Sequence, residues 1–283
     1  MPSPPPYPGA PQPFAEGERV LLVDRKGRRY LQTLHAGGVF HFHGGMAAHD
    51  DLLGQPEGSR VHATLGSTLL ALRPTSADWT VKAPRGAQVV YPKDQAMIVV
   101  LGDIAPGVTV VEAGAGSGAL SCALLRAVGT TGRVVSFEHR AEHAEIAERN
   151  VAERFGGLPP TWELRREDIV EGLAGLDCDR IVLDLLDPSA VLPVAEQALH
   201  AGGLLIAYTP SVPQMVRLRE AMAANQAWGM AQTVETLVRG WHVEGLAVRP
   251  DHRMVAHTAF LTWARRLPPD PRVGDPAETS LLH

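Results

Sequence analysis

Two rhythms of apolar and polar residues divide the chain. From residue 14 to about residue 75, short runs such as ERVLLVD, RRYLQTLH and GVFHFH are separated by glycine turns. This pattern predicts a small β domain without a long helix. From about residue 94, strand-like and helix-like segments alternate. VTVVEAG and RVVSFE predict strands, and GALSCALLRAVG between them predicts a helix closed by a glycine. HAEIAERNVAERFGG predicts a second helix whose acidic and basic residues are offset by three or four positions. TWELRRED, DRIVLDLL and GGLLIAYTP predict three more strands, with helices starting near Pro188 and Val212. Such alternation implies a doubly wound parallel sheet. TVETLVRGWHVEGLAV and HTAFLTWARRL then read as two long strands joined by a loop, hence an antiparallel pair.

The expected organisation is therefore a disordered proline-rich leader (1–13), a β domain (14–75), a linker (76–93), an α/β domain (94–267) and a disordered tail (268–283). The leader has no Lys or Arg before Arg19 and no apolar core, so it does not read as a signal peptide. No apolar run reaches the ~18 residues that a membrane span requires. The two cysteines, Cys122 and Cys178, form no metal or redox motif, which fits a cytoplasmic protein. His41, His43 and His49 lie close together in sequence, but no carboxylate or thiol completes a metal-ligand spacing, and no metal is expected. Trp228, Trp241 and Trp263 sit at strand positions, where core or interface packing is the ordinary role.

The chemistry concentrates at strand ends. In VVEAGAGSGAL, Gly114, Gly116 and Gly118 lie between a strand and a helix, where glycine lets the backbone turn sharply and approach a ligand. Glu138 ends the next strand, placed to accept ribose hydroxyls; Asp168 follows the third strand; Asp184 interrupts the apolar run IVLDLLDP. Glu112 precedes the loop. Four carboxylates at the edge where such sheets bind ligands suit a cationic ligand better than a pyrophosphate, and S-adenosylmethionine fits that description. The competing explanation is that these acids are helix caps and loop residues. With a net charge of −5, the chain cannot coat nucleic acid by bulk charge, although RKGRR, Arg165 with Arg166, RGWH, RPDHR and Arg265 with Arg266 are local basic clusters.

QVVYPKD, EAGAGSGAL, SFEHR, LDLLDP, AYTPSVPQ and RPDHRMVAHTAFLTWARR together resemble the tRNA (adenine-N1)-methyltransferases of bacteria and archaea, which modify the adenosine at position 58 of the T-loop. The resemblance runs from about Glu16 to Leu267. It implies a class I methyltransferase fold, Rossmann-like with an antiparallel C-terminal strand, preceded by a small β domain. It also implies S-adenosylmethionine as donor, tRNA as substrate and a homotetramer. Position by position, it implies that Gly114, Gly116, Ser117, Gly118, Ala119 and Leu120 contact the methionine portion, Glu138 the ribose and Asp168 the adenine. Glu112 would orient the loop or the ligand's amino group, and His143 would lie beside the cofactor. Asp184 would be the catalytic acid facing both cofactor and target base, and Tyr91 and Tyr208 would line the base pocket. Where the family often carries a bulky residue after its DxxxP proline, this chain has Ser189 and Ala190.

LDLLDP lacks the prolines and stacking ring of methylases that act on exocyclic amines, which favours a ring nitrogen as the methyl acceptor. Three rivals remain at this level. A nicotinamide-dependent dehydrogenase is compatible with the glycine loop and Glu138, but not with the terminal strand pair. A methyltransferase for damaged aspartate or a corrin ring would share the core but leaves YPKD and HTAFL unexplained. An inactive tRNA-binding subunit would not need the complete loop and Asp184.

Overall fold

The computed structural model describes residues 12–82, 86 and 88–268. The chain falls into two units, divided between residues 83 and 84. Almost all of the expected leader and tail lies outside the described residues.

In the first unit the alternating runs become β1 (Arg19–Asp24), β2 (Arg29–Thr33), β3 (Val39–Phe42), β4 (Gly45–Ala48), β5 (Arg60–His62) and β6 (Thr68–Leu72). β2, β1, β6 and β5 form an antiparallel sheet in that order, and β3 and β4 form a separate hairpin. One apolar cluster closes the unit around Phe14, Leu22, Leu34, Leu52 and Leu69, all fully buried. Each contributes about 1.5–3 kcal/mol by leaving water. A short helix, α1 (Ser76–Lys82), occupies the start of the segment expected to be a linker and buries Trp79. Its first turn is fixed by Asp78, which accepts hydrogen bonds from Thr75 (2.6 Å) and Arg29 (2.7 Å). Both partners lie outside the helix, which is why its own periodicity did not announce it. His41 and His43 are exposed on β3 or just beyond it, whereas His49 is buried and accepts the His35 amide at 3.1 Å.

The second unit opens with α2 (Pro92–Leu101), where proline sits at the first turn and needs no amide partner. Strands and helices then alternate as expected: β7 (Thr109–Ala113), α3 (Ala119–Val128), β8 (Arg133–Phe137), α4 (Ala141–Phe155), β9 (Trp162–Arg165), α5 (Ile169–Gly172) and β10 (Cys178–Leu183). A 3₁₀ turn at Pro188–Val191 leads to α6 (Leu192–Ala198), β11 (Leu199–Thr209), α7 (Val212–Ala223) and β12 (Trp228–Glu235). α3 and α4 stop at Gly129 and Gly156, both at positive φ.

The second of the two long strands expected at the end forms as β15 (Phe260–Arg266). The first breaks after Glu235, and Trp241–Glu244 (β13) and Ala247–Pro250 (β14) fold instead into a hairpin of their own. The break coincides with Arg239-Gly240, where the apolar alternation read as continuous strand lapses. The seven-stranded sheet runs β12-β15-β11-β10-β7-β8-β9. Its five strands from β11 to β9 are parallel, and β15 inserts antiparallel between β11 and β12. Strand order reverses at β7, which pairs with both β10 and β8, so the crevice above β7 and β10 is the switch point where such sheets bind ligands. Trp228 is core, Trp263 half-buried in the sheet, and Trp241 exposed on the hairpin. Among the described residues no helix is long and apolar enough to cross a membrane.

Candidate active site

The glycine loop is built by contacts that only glycine permits. Gly114 has φ +86°, and a Cβ there would stand 2.1 Å from the Asp184 carbonyl oxygen. The Asp184 amide in turn donates to the Ala113 carbonyl at 2.9 Å, so the end of β10 and the loop after β7 are fastened to each other. Gly118, at φ +75°, brings the start of α3 against Ala147 of α4. The amides of Gly114 and Ala115 are taken up by the Phe137 carbonyl, and that of Gly116 by Glu138 at 3.0 Å. The first amides of α3, at Ala119 and Leu120, lack partners within the helix, as at any helix start.

The four predicted acids have four different fates. Glu112 is fully buried, and its Oε2 accepts the Ser121 and Ser136 hydroxyls at 2.6 and 2.5 Å. Its Oε1 has no hydrogen-bond partner among the described residues. Burial pushes its carboxyl up to about 7, against the two hydroxyls and with the Glu138 charge. Glu138, also buried, is capped by Arg140 through the backbone amide (3.1 Å) and Nε (3.0 Å). These bonds and the Gly116 amide hold it below the usual carboxylate range despite burial. Asp168 is exposed and caps α5 by accepting the Val170 amide at 2.8 Å.

Asp184 is half-buried and is pushed up to about 7, first by burial and then by the Glu112 charge, with Arg140 opposing. Arg140 is ion-paired with Glu138 instead, and among the described residues no cation pairs with Asp184. The loop beyond it is held by Gln214, whose Nε2 donates to the Leu186 carbonyl at 2.9 Å, and by Asp187, which caps the 3₁₀ turn. His143 sits in the first turn of α4 with its Nδ1 buried and unpartnered, and its ring faces Gly86.

A cavity of about 560 Å³ is lined by Gly86, Gln88, Val89, Tyr91, Tyr208, Val255, His257 and Thr258. Both predicted tyrosines line it, and the Tyr208 phenol feels the charge of Asp184. Sequence reasoning missed the polar frame of this cavity. Lys93 Nζ donates to Asp94 Oδ1 (2.8 Å) and to Thr258 Oγ1 (2.6 Å), and Thr258 donates to Asp94 Oδ2 (2.7 Å). Beside it, the His257 ring lies between Glu235 Oε1 (2.6 Å) and the Pro210 carbonyl (2.9 Å). The only hint in the sequence was that YPKD and HTAFL both stood out, at opposite ends of the unit.

Much of the basic charge is already engaged. Arg28 and Arg29 pair with Asp24 and Asp78, Arg165 with Glu163, Arg166 with Glu148 and Arg266 with Glu196. Arg25, Lys26, Arg239, Arg249 and Arg253 remain exposed.

These features match known proteins over most of the chain. Residues 68–248 match the family model described as the tRNA methyltransferase complex GCD14 subunit, and residues 13–61 match a TrmI-like N-terminal family. The tRNA (adenine(58)-N(1))-methyltransferase TrmI of Thermus thermophilus is 39% identical over 247 residues, spanning 87% of this chain and 96% of that protein. Among solved structures, a SAM-dependent O-methyltransferase from Thermotoga maritima superposes with TM-score 0.87 at 28% identity, covering 92% of this chain and 96% of that one. The tRNA (m1A58) methyltransferase TrmI of Aquifex aeolicus superposes with TM-score 0.80 at 26% identity, covering 91% and 100%.

Proposed function

This chain belongs to the TrmI-type family of tRNA (adenine-N1)-methyltransferases, and on that premise we infer that its crevice methylates ring nitrogen 1 of the adenosine at position 58 of the tRNA T-loop. The observation that carries the reading is Asp184: a carboxylate without a counter-cation among the described residues, at the switch point, fastened to the glycine loop and electrostatically linked to a tyrosine-lined cavity. An oxygen nucleophile, as in the Thermotoga maritima protein's description, would not explain the match of both family models across the chain.

The donor set fits S-adenosylmethionine. An unpartnered buried oxygen on Glu112, a glycine cradle that a Cβ would obstruct, and the uncompensated Asp184 together favour a cation with an ammonium group. Gly114 to Leu120, Glu112, Glu138, His143, Asp168 and Asp184 are the residues that would hold it, Glu138 sharing its oxygens with Arg140. When bound, this cofactor supplies a methyl group on a positively charged sulfur.

The protein's own contribution is placement and charge. A carboxylate accepts hydrogen bonds only, so Asp184 takes one from the exocyclic amino group of the base and fixes which ring edge faces the glycine loop. Its charge favours the cationic adenine that methylation at N1 produces. Tyr91 and Tyr208 flank the base, which leaves its stack at a cost of a few kcal/mol. The exposed basic residues, summed over subunits, contact phosphates. The homo-oligomer, a tetramer by resemblance, is supported by the β13–β14 hairpin, which exposes Trp241, Val243, Leu246 and Val248. Light scattering should report more than one chain per particle, and Trp241→Lys should lower that number; a monomeric wild type would remove this part of the reading. A cytoplasmic location is part of the same reading, in keeping with two buried free thiols.

The decisive assay incubates the chain with unmodified tRNA transcript and labelled donor, then locates the methyl by digestion and mass spectrometry. Label at N1 of adenosine 58 is expected; label elsewhere, or none, defeats the proposal.

Proton linkage gives an independent check. Glu112 and Asp184 titrate near 7 when folded, against about 4 when unfolded. Between those values the folded chain holds more protons, so the stability these two groups contribute is lost as pH rises through that window. A cation in the crevice favours both ionised forms and expels protons. Calorimetric titration of S-adenosylmethionine at pH 7, in two buffers of different ionisation enthalpy, should therefore show proton release. Identical heats would mean that these carboxylates do not face the ligand.

A further inference from the structure

We infer that His257 and Thr258 act as a two-residue latch that sets the gap between Tyr91 and Tyr208, and so position the base without touching the reacting atoms. The inference rests on the reading of the tyrosine-lined cavity as the base pocket. The two residues precede β15 and fasten three segments that are distant in sequence.

Thr258 holds the first side of the gap. Its hydroxyl donates to Asp94 and accepts from Lys93, both in the first turn of α2. That turn is rigidly continuous with Tyr91, whose carbonyl accepts the Asp94 and Gln95 amides, both at 2.9 Å. Gln95 adds a bond back to the Val90 carbonyl at 3.0 Å. Any shift of Thr258 therefore moves the backbone that carries the Tyr91 ring.

His257 holds the second side. Its Nε2 faces the carbonyl of Pro210, two residues after Tyr208, and its Nδ1 faces the Glu235 carboxylate at the end of β12. Thr258, His257 and Tyr208 line the same cavity, so the adjacent residues of the latch stand at both walls.

The chemistry of the ring makes the latch conditional. Both of its nitrogens face acceptors, and only the imidazolium carries two N–H groups. The groups around it are Glu235 from β12, which favours the charge, Lys93 from α2, which opposes it, and the apolar Phe260 ring of β15 at 5.0 Å. The balance raises the His257 pKa, with the Pro210 carbonyl the leading cause. Deprotonation leaves either the Glu235 carboxylate or the Pro210 carbonyl without its hydrogen and so breaks a bridge that needs both.

Packing alone is a weaker explanation. The His257 side chain is 46% exposed, and an exposed ion pair contributes little to stability. Its placement matters for geometry more than for folding. A misplacement of about 1 Å costs on the order of 10²-fold in rate.

The test uses the full chain with unmodified tRNA. His257→Gln and Thr258→Val should each lower kcat/KM for tRNA by roughly 10- to 100-fold while S-adenosylmethionine affinity holds; the melting temperature should hold in His257→Gln and fall in Thr258→Val, which removes two buried hydrogen bonds. Thr258→Ser, which keeps the hydroxyl, should recover activity. The alkaline fall of kcat/KM in the wild type should be absent in His257→Gln. In a background where Tyr91 and Tyr208 are both alanine, Thr258→Val should cost nothing further. Wild-type activity in both latch variants, or a full additive loss in the tyrosine-free background, overturns the latch and leaves the pocket reading standing. Wild-type activity on removing both tyrosines overturns the pocket reading and the latch with it.

Discussion

Replacing Asp184 by alanine is expected to lower kcat by roughly 10²- to 10³-fold, the usual loss when one preorganised electrostatic partner of the reacting group is removed, while tRNA still binds and S-adenosylmethionine binds more weakly through its remaining contacts. The direction follows from the setting of the carboxylate. Burial and the Glu112 charge both disfavour its ionised form, and no ion pair among the described residues compensates it. A structural acid would have acquired a partner; this one is held in place by its backbone bond to Ala113, beside a loop position where only glycine leaves room for its carbonyl.

The same argument predicts the stability of the variant. Because the folded-state pKa is raised to about 7, the penalty for the charge is present above that pH and absent well below it. Asp184→Ala should therefore melt no lower than the wild type at pH 8, with the advantage shrinking towards pH 5. Single-turnover kinetics with calorimetric binding measures the first effect and thermal denaturation at the two pH values the second. Near-normal turnover, or a large fall in melting temperature with lost binding, would remove Asp184 from the chemistry.

Asp94→Ala is expected to destabilise the second unit by about 3–5 kcal/mol, the characteristic cost of leaving one member of a buried ion pair alone. The Asp94 side chain is 0% exposed and that of Lys93 7%. Removing the carboxylate strands the Lys93 ammonium, 7% exposed, with only the Thr258 oxygen. Replacing the pair together, Lys93→Met with Asp94→Leu, should recover most of that stability, because matched apolar side chains often substitute for a buried pair at little cost. It should not recover turnover, since the anchor of Thr258 is gone. Denaturant unfolding followed by Trp228, buried in the second unit, reads the first effect. A loss below about 1 kcal/mol for the single variant would place the pair among ordinary surface ion pairs.

What the sequence disclosed and what it concealed divide along a physical line. Segments whose conformation is decided locally were readable: the helix from Ala119 that stops at Gly129, the strands β7 to β11, and the glycine loop with its positive φ angles. Asp184 was readable because a carboxylate breaks an apolar run. Partnerships across long separations were not. Nothing local says that Arg140 will cap Glu138, that Ser121 and Ser136 will share Glu112, or that Thr258 will meet Asp94 164 residues away. The acids looked alike as letters, and only their neighbours separate a capped ion pair from a buried proton holder and a helix cap. α1 and the β13–β14 hairpin were missed for a related reason, being short elements without an amphipathic period of their own.

The position of β15 has a consequence for synthesis. Although it is the last described strand to leave the ribosome, it fills the slot between β11 and β12, pairing with each along its length. Until then those two strands each present an edge of unsatisfied amide and carbonyl groups to solvent, the kind of edge that recruits foreign strands. His257 and Thr258 arrive with it, so a nascent chain that lacks this strand lacks both residues as well.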